Sequence, residues 1–374
     1  MLSLEKIYLA EEIANHPLTS KILQKTGLKP QILPRGESSP LPRALWEEGI
    51  SLGKRILYLT RYQGRFFRRC PGTKAYLCCG YHIFHIGQGC PLDCTYCILQ
   101  AYFNQPWLTF FVNVLEDGLK ELQEALSRFT FLRIGTGEFT DSFALEELTS
   151  LNPHLIEFFA RQENAVLELK TKTTGIDHLK DLPHRRRTIL AWSLNAPSIS
   201  RNEEKGAPPV EERLLAAQKA VSWGYPVAFH FDPIIRFPGW REEYAQTIEF
   251  LFEKIPPEEV CWISLGSLRF MPELKEIAWK RFPETKIFSN EFITGLDGKK
   301  RYFRPLRVEL YSHLYGLIKK LAPHVCVYLC MESPEVWKEV FGFSPFSRGG
   351  LSRMLDEAAQ RVCRIRSHNF RLAE

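Results

Sequence analysis

No stretch of this chain approaches the roughly 18 uninterrupted apolar residues that a membrane span requires, so no contact with a membrane is expected. The opening segment MLSLEKIYLAEEIANH carries charges inside its apolar run. It reads as neither a secretory leader nor an anchor, and the expected location is the cytoplasm. Low-complexity tracts and internal repeats are also missing, which argues against a disordered tail or a solenoid. Excess charge of one sign is slight: 49 Lys and Arg against 43 Asp and Glu leave +6, too little to name a partner alone. With 374 residues, 45% hydrophobic and 25% charged, the chain suits one large barrel-type domain with an appendage, or two ordinary domains.

Cysteine, by contrast, is plentiful. Ten cysteines in a reducing compartment point to metal or redox chemistry, because structural disulfides are disfavoured there. Cys261, Cys326, Cys330 and Cys363 are scattered and read as small buried hydrophobes. Cys70, Cys78, Cys79, Cys90, Cys94 and Cys97 crowd into one short stretch. Within it, HIGQGCPLDCTYC spaces Cys90, Cys94 and Cys97 as CxxxCxxC, close enough for one loop to wrap an iron–sulfur cluster. Three thiolates leave one iron open, as an open position marks catalytic zinc sites. Zinc is the alternative, with His82 or His85 as a fourth ligand, although both lie on a predicted strand.

From Tyr81 onward a strand–helix rhythm sets in. Apolar runs at 81–86, 131–135, 166–171, 188–194, 226–232 and 260–266 predict strands. Helical spacing separates most of them: Leu115, Leu119, Leu122, Leu126 and Phe129 share a face, as do Trp240, Tyr244, Ile248 and Leu251. The stretches 143–161 and 211–223 behave similarly. Six such units predict an α/β fold, an open partial (β/α)6 barrel with a parallel sheet covered by helices. We therefore expect an N-terminal extension over 1–75 with a loop at 33–43, the partial barrel over 76–285, and a C-terminal β-hairpin and helical appendage over 286–374. In that last part Asp297-Gly298 marks the hairpin turn. A helix at about 308–322, a strand at 325–329 and a basic helix at about 350–366 follow it. Two stretches, RYQGRFFRRC (61–70) and KKRYFRPLR (299–307), interleave arginines with aromatics. That pattern grips phosphates and stacks on bases, or else forms a solvated basic surface over buried rings.

A CxxxCxxC motif after the first strand, with an aromatic (Tyr96) before the last cysteine, resembles the signature of the radical S-adenosylmethionine superfamily. The resemblance implies a 4Fe–4S cluster on Cys90, Cys94 and Cys97, S-adenosylmethionine on the open iron, and a 5′-deoxyadenosyl radical as product. It implies the same partial barrel. RIGTGE (133–138) resembles the element that receives the cofactor's amino group: Gly135 and Gly137 let backbone approach a ligand, and Glu138 can accept from an ammonium.

From about Tyr62 to Leu329 the pattern is similar to the spore photoproduct lyase family. The elements that carry it are CPGT (70–73), CPLDCTYC (90–97), FTDS (139–142), TK…IDHL (171–179), SLN (193–195), PI…GW (233–240) and the basic hairpin at 299–305. This resemblance implies direct reversal of a UV-induced thymine dimer in DNA by a carbon–carbon lyase, with a flavodoxin or ferredoxin as electron donor and a monomeric enzyme. It places Ser142, Lys172, Ser193 and Asn195 at the cofactor's methionine and ribose groups. It sets Arg301 and Arg304 on phosphates, with Tyr302 or Phe303 wedged where bases unstack. Two positions depart from the family. Thr140 stands where those lyases carry a hydrogen-donating cysteine, and a threonine O–H bond is too strong to quench a carbon radical. Ile98 replaces the second tyrosine of the radical relay, which leaves Tyr96. The donor would then be Tyr96 or another thiol such as Cys79 or Cys330. Alternatively the substrate is another nucleic-acid lesion or no nucleic acid at all, or the chain is a non-catalytic iron–sulfur nucleic-acid-binding protein.

Overall fold

The apolar runs between residues 81 and 266 become strands of one curled, open sheet in the computed structural model, which describes residues 3–37, 39–42, 49–73 and 75–365. Ser38 and Arg43 of the loop expected over 33–43, and the tail beyond Ile365, lie outside the described residues. Along the sheet the order is β18 (Cys326–Leu329), β14 (Val260–Ser267), β13 (Val227–Ile234), β11 (Thr188–Ser193), β10 (Ala165–Thr171), β9 (Leu132–Gly135), β5 (His82–Phe84) and β4 (Phe67–Arg69). Every pairing is parallel except β4 on β5.

Alternation within these strands explains why they look apolar yet enclose polar chemistry. On β14, Cys261 turns outward to Cys363, which ends an outer helix. Trp262 and Ser264 turn inward, where Trp262 donates to Glu168 (3.2 Å) and Ser264 meets His230 (2.7 Å). Outside, the helix Trp240–Lys254 buries Trp240, Tyr244, Ile248 and Leu251, the face its spacing predicts. Each such side chain contributes about 1.5–3 kcal/mol through burial. No helix among the described residues is long and apolar enough to cross a membrane.

Three features depart from the expected division. The strand expected in the tail, β18, joins the barrel sheet as a seventh parallel strand beside β14. The N-terminal extension is not separate: β1 (Lys6–Ala10), β2 (Gln31–Leu33) and β3 (Ile56–Thr60) share a second sheet with β8 (Leu108–Phe111) and β6 (Gly87–Gln88), in the order β2-β1-β3-β8-β6. A boundary at residue 75 thus cuts β3 from its partner β8. Lastly, the hairpin arms β16 (Phe292–Thr294) and β17 (Lys300–Tyr302) form a three-stranded sheet with β15 (Arg269–Phe270), in which β17 is the middle strand.

Candidate active site

The three motif cysteines lie on a loop between β6 and the short helix Leu99–Tyr102. Contacts remote in sequence hold that loop. Asp93 and Cys94 form β7, which pairs antiparallel with β12 (Glu204–Lys205). Lys54 Nζ donates to the carbonyls of Cys90 (2.8 Å) and Leu92 (2.6 Å). Arg281 grips Asp93 with both carboxylate oxygens, at 2.9 and 2.8 Å. Thr95 donates its hydroxyl to Glu203 Oε2 at 2.5 Å and its backbone N–H to Glu203 O at 2.9 Å.

Burial pushes the Cys94 thiol up to about 12 and raises that of Cys90 further, while Lys172 opposes the rise at Cys94 and Lys54 at Cys90. Cys90 is near enough to feel the charge of both Cys94 and Cys97. Among the described residues no three His, Cys, Asp or Glu side chains are closed to ligating geometry as they stand. The donor set nevertheless fits a cluster. Three thiols on one pinned loop, two of them raised by burial, can exchange their protons for iron, and a lysine stands ready to offset the negative charge.

Lys172, just past the end of β10, faces the loop: its ammonium lies 5.7 Å from the Tyr96 ring, with Glu204 and Cys94 raising its pKa against burial. Tyr96 is buried and hydrogen-bonds Glu204, whose other oxygen contacts Arg213 at 2.5 Å as an ion pair. Asn195 donates to Pro233 O (3.1 Å) and accepts from Tyr244 (2.6 Å), so its amide is engaged inside the protein. Ser193, also buried, holds Arg213 through its carbonyl (3.0 Å). Ser142 accepts from the Lys170 amide (3.0 Å) and from Thr136 (2.8 Å), which pins the turn after β9 to β10.

Glu138 faces a different set. It stays solvent-accessible at the barrel opening, ringed by Lys170, Asp232, Arg269 and Lys299. Burial by the surrounding wall raises its pKa and Lys170 opposes that. Gly135 has a reason other than ligand approach, since a Cβ there would collide with the Tyr81 hydroxyl. At Gly137 a Cβ would press on Lys170 Cβ at 3.0 Å, so both glycines serve strand packing.

Sequence reasoning missed Asp141, Glu204 and Arg213. Half-buried Asp141 accepts from Thr171 (2.7 Å) and from the backbone of Lys172 (2.8 Å) and Phe143 (2.9 Å), locking Thr140 beside the end of β10. The only sequence signal was its place in FTDS; Glu204 and Arg213 gave none.

The hairpin assignments need correction. Arg301 is 1% exposed: it donates to Asp297 Oδ2 (2.7 Å) and Met331 O (3.2 Å), with its guanidinium 4.2 Å from the Tyr76 ring centroid. Tyr302 is buried, stacked on Phe292, and accepts from the Arg236 amide. Both side chains are buried and engaged within the protein, so neither faces a phosphate or a base. Phe303 is 54% exposed, and Arg304 is exposed but paired with Glu339. Arg301→Ala is therefore expected to destabilise the fold by about 3 kcal/mol, because it strands the Asp297 carboxylate. Urea unfolding measures this. The salt dependence of DNA binding should stay at its wild-type slope, where a phosphate contact would lower it by about one unit.

Of four further thiols, Cys70 and Cys330 stand close enough to feel the Glu138 charge. Burial pushes Cys70 and Cys330 up to about 12. Cys79 rises with the hydrogen bond it gives Cys78 and with burial. Cys78 is exposed, and the bond from Cys79, with Gly80 N at 3.4 Å and Arg69 nearby, brings it down to about 5. Only its thiolate alkylates, so iodoacetamide should modify Cys78 first, at a rate that climbs through pH 5 and is level by neutral pH. Peptide mass spectrometry across pH reads this directly. A midpoint near 8.5, the free-thiol value, would contradict it.

With this geometry, the sequence model described as Spore photoproduct lyase matches residues 78–305, more than half the chain. The chain belongs to the spore photoproduct lyase family. The spore photoproduct lyase of Bacillus subtilis is 30% identical over 233 residues, which span 61% of this chain and 66% of that enzyme. That of Clostridium acetobutylicum is 23% identical over 288 residues, 75% of this chain and 83% of its own. Among solved structures, a spore photoproduct lyase complexed with dinucleoside spore photoproduct superimposes with a TM-score of 0.76 at 22% identity, covering 88% of this chain and 99% of that one. The family's curled, open half-barrel is thus the fold seen here.

Proposed function

We propose that this chain is a radical S-adenosylmethionine lyase that reverses a UV-induced pyrimidine dimer in DNA. The observation that carries the reading is the pinned Cys90–Cys94–Cys97 loop facing Lys172 at the end of β10. A 4Fe–4S cluster held there by Cys90, Cys94 and Cys97 would, with S-adenosylmethionine and one electron from a flavodoxin or ferredoxin, supply a 5′-deoxyadenosyl radical.

The chain's own residues do the rest. Lys172 holds the cofactor carboxylate by charge, and Glu138 accepts from its ammonium. Glu204 and Asn195 keep Tyr96 and the strand end beside them fixed. The barrel opening receives the extruded lesion, since chemistry on a base requires leaving the stack. There a hydrogen atom leaves the saturated ring carbon next to the one that carries the methylene bridge, the bond from that ring to the methylene breaks as the ring double bond re-forms, and a hydrogen atom returns to the freed methylene, so the reaction is redox-neutral. Reconstituted enzyme with S-adenosylmethionine, dithionite and UV-irradiated DNA should restore thymines detectable by mass spectrometry. Production of 5′-deoxyadenosine with no thymine restored would reject the lesion and leave the radical chemistry standing. Thr140 favours a second reading, in which the same machinery acts on a different pyrimidine lesion.

A further inference from the structure

Successive side chains of the cysteine loop point opposite ways. Cys94 and Tyr96 look towards Lys172 and Glu204, on the side proposed for the cofactor. Thr95 looks the other way, to Glu203, and there it lines a groove of about 1060 Å³. The groove runs between the helix Pro197–Glu203, the turn after β13, and the segment that follows the helix Pro272–Arg281.

Its charge is lopsided. Lys205, Arg236, Arg241, Arg281 and Lys286 line it against two carboxylates, Glu203 and Glu284. Glu203 is buried and held by Thr95 and Thr285, so it offers little to a visitor. Lys205 and Lys286 are exposed. The Nε atoms of Arg236 and Arg281 are buried in the groove wall without a hydrogen-bond partner. Arg281 also clamps Asp93, the residue before Cys94, so the groove wall and the loop backbone are mechanically one piece.

We propose that this groove is the docking site of an acidic one-electron carrier protein, which reaches the cysteine-held centre from behind while the cofactor occupies the front. This rests on the function proposed above. One electron leaves the carrier, which is oxidised, and enters the centre, which is reduced; no bond forms or breaks. Nucleic acid fits the charge but not the position, because the cysteine loop stands between the groove and the barrel opening where a base would have to enter. The rim cations would act mainly on the encounter rate, as complementary charge does in general.

The test uses the full-length protein and an acidic flavodoxin as probe, with association rate and affinity measured by surface plasmon resonance over a range of salt. Wild type should bind with a rate that falls as salt rises. Lys205→Glu with Lys286→Glu should slow association at low salt about tenfold or more. The milder Lys205→Gln with Lys286→Gln should fall between, and thermal melting checks that both remain folded. In parallel, the ratio of flavodoxin-driven to dithionite-driven S-adenosylmethionine cleavage should drop in the same order. Unchanged association in the charge-reversed variant overturns the proposal. So does absence of wild-type binding to either flavodoxin or a ferredoxin, or variants that lose an oligonucleotide while keeping the carrier. Lesion repair driven by dithionite needs no carrier, so the failure of either idea is visible without the other.

Discussion

Cys94→Ala should lower iron from about four per chain to near background after anaerobic reconstitution, and abolish 5′-deoxyadenosine formation. The effect should be near total because the loop supplies three thiolates and no fourth. Its nearest histidine, His85, is buried with its Nδ1 against Arg68 at 2.7 Å, and burial lowers its pKa to about 3. That ring is packed among Tyr62, Phe111 and Phe139, and among the described residues no three His, Cys, Asp or Glu side chains, His85 included, stand in ligating geometry. The loop should otherwise survive, because its anchors are Lys54, Glu203 and Arg281 rather than the Cys94 thiol. Cys261→Ala is the matched control: that thiol is equally buried but packs against Cys363 with Sγ atoms 4.0 Å apart, on the outer face of β14. It should cost stability and keep its iron. Full iron and full cleavage in Cys94→Ala would end the central reading, as would zinc in place of iron.

Thr140→Cys should change how the reaction ends rather than whether it starts. Asp141 locks the Thr140 turn to the end of β10, so a thiol placed there is held and does not wander. The side chain is 8% exposed and borders a cleft of about 10 Å³ lined also by Thr109 and Ser142, room for the larger sulfur without overpacking. If the substrate is the methylene-bridged dimer, the variant should give restored thymine with fewer trapped adducts. Wild type should be slow or depend on added thiol. Fast, clean repair by wild type with no change in the variant would move the donor elsewhere, and Tyr96→Phe and Cys330→Ala would be the comparison to make. Cys330 sits 3.5 Å from Arg269 Nη2 in the charged ring around Glu138.

Which features could be read from the chain follows from how local their causes are. The cysteine loop was legible because its ligands lie within eight positions of one another and their chemistry requires that spacing. The face of Trp240, Tyr244, Ile248 and Leu251 was legible because helical period alone creates it. β8 was not: four buried residues without alternation carry no signal until β3 lies beside them. The hairpin was seen but misjudged, because two of the groups that enclose Arg301, the Tyr76 ring and the Met331 carbonyl, come from distant parts of the chain. Glu204 and Arg213 escaped for the same reason. Their meaning depends on Tyr96, more than a hundred positions earlier, which hydrogen-bonds Glu204 only in the folded chain.

The sharing of β8 bears on where the molecule can be cut. Residues 78–305 carry the family's pattern, yet β8 lies within them and takes its parallel partner, β3, from outside. Trimmed to those limits, the chain would keep four fully buried residues, Leu108–Phe111, along a bare edge of unpaired N–H and C=O groups. Such an edge is a template for another chain. The trim would also remove Lys54, which braces Cys90 and Leu92, and β18, which caps the far side of the barrel sheet. The stretch that marks the family is shorter than the stretch that folds.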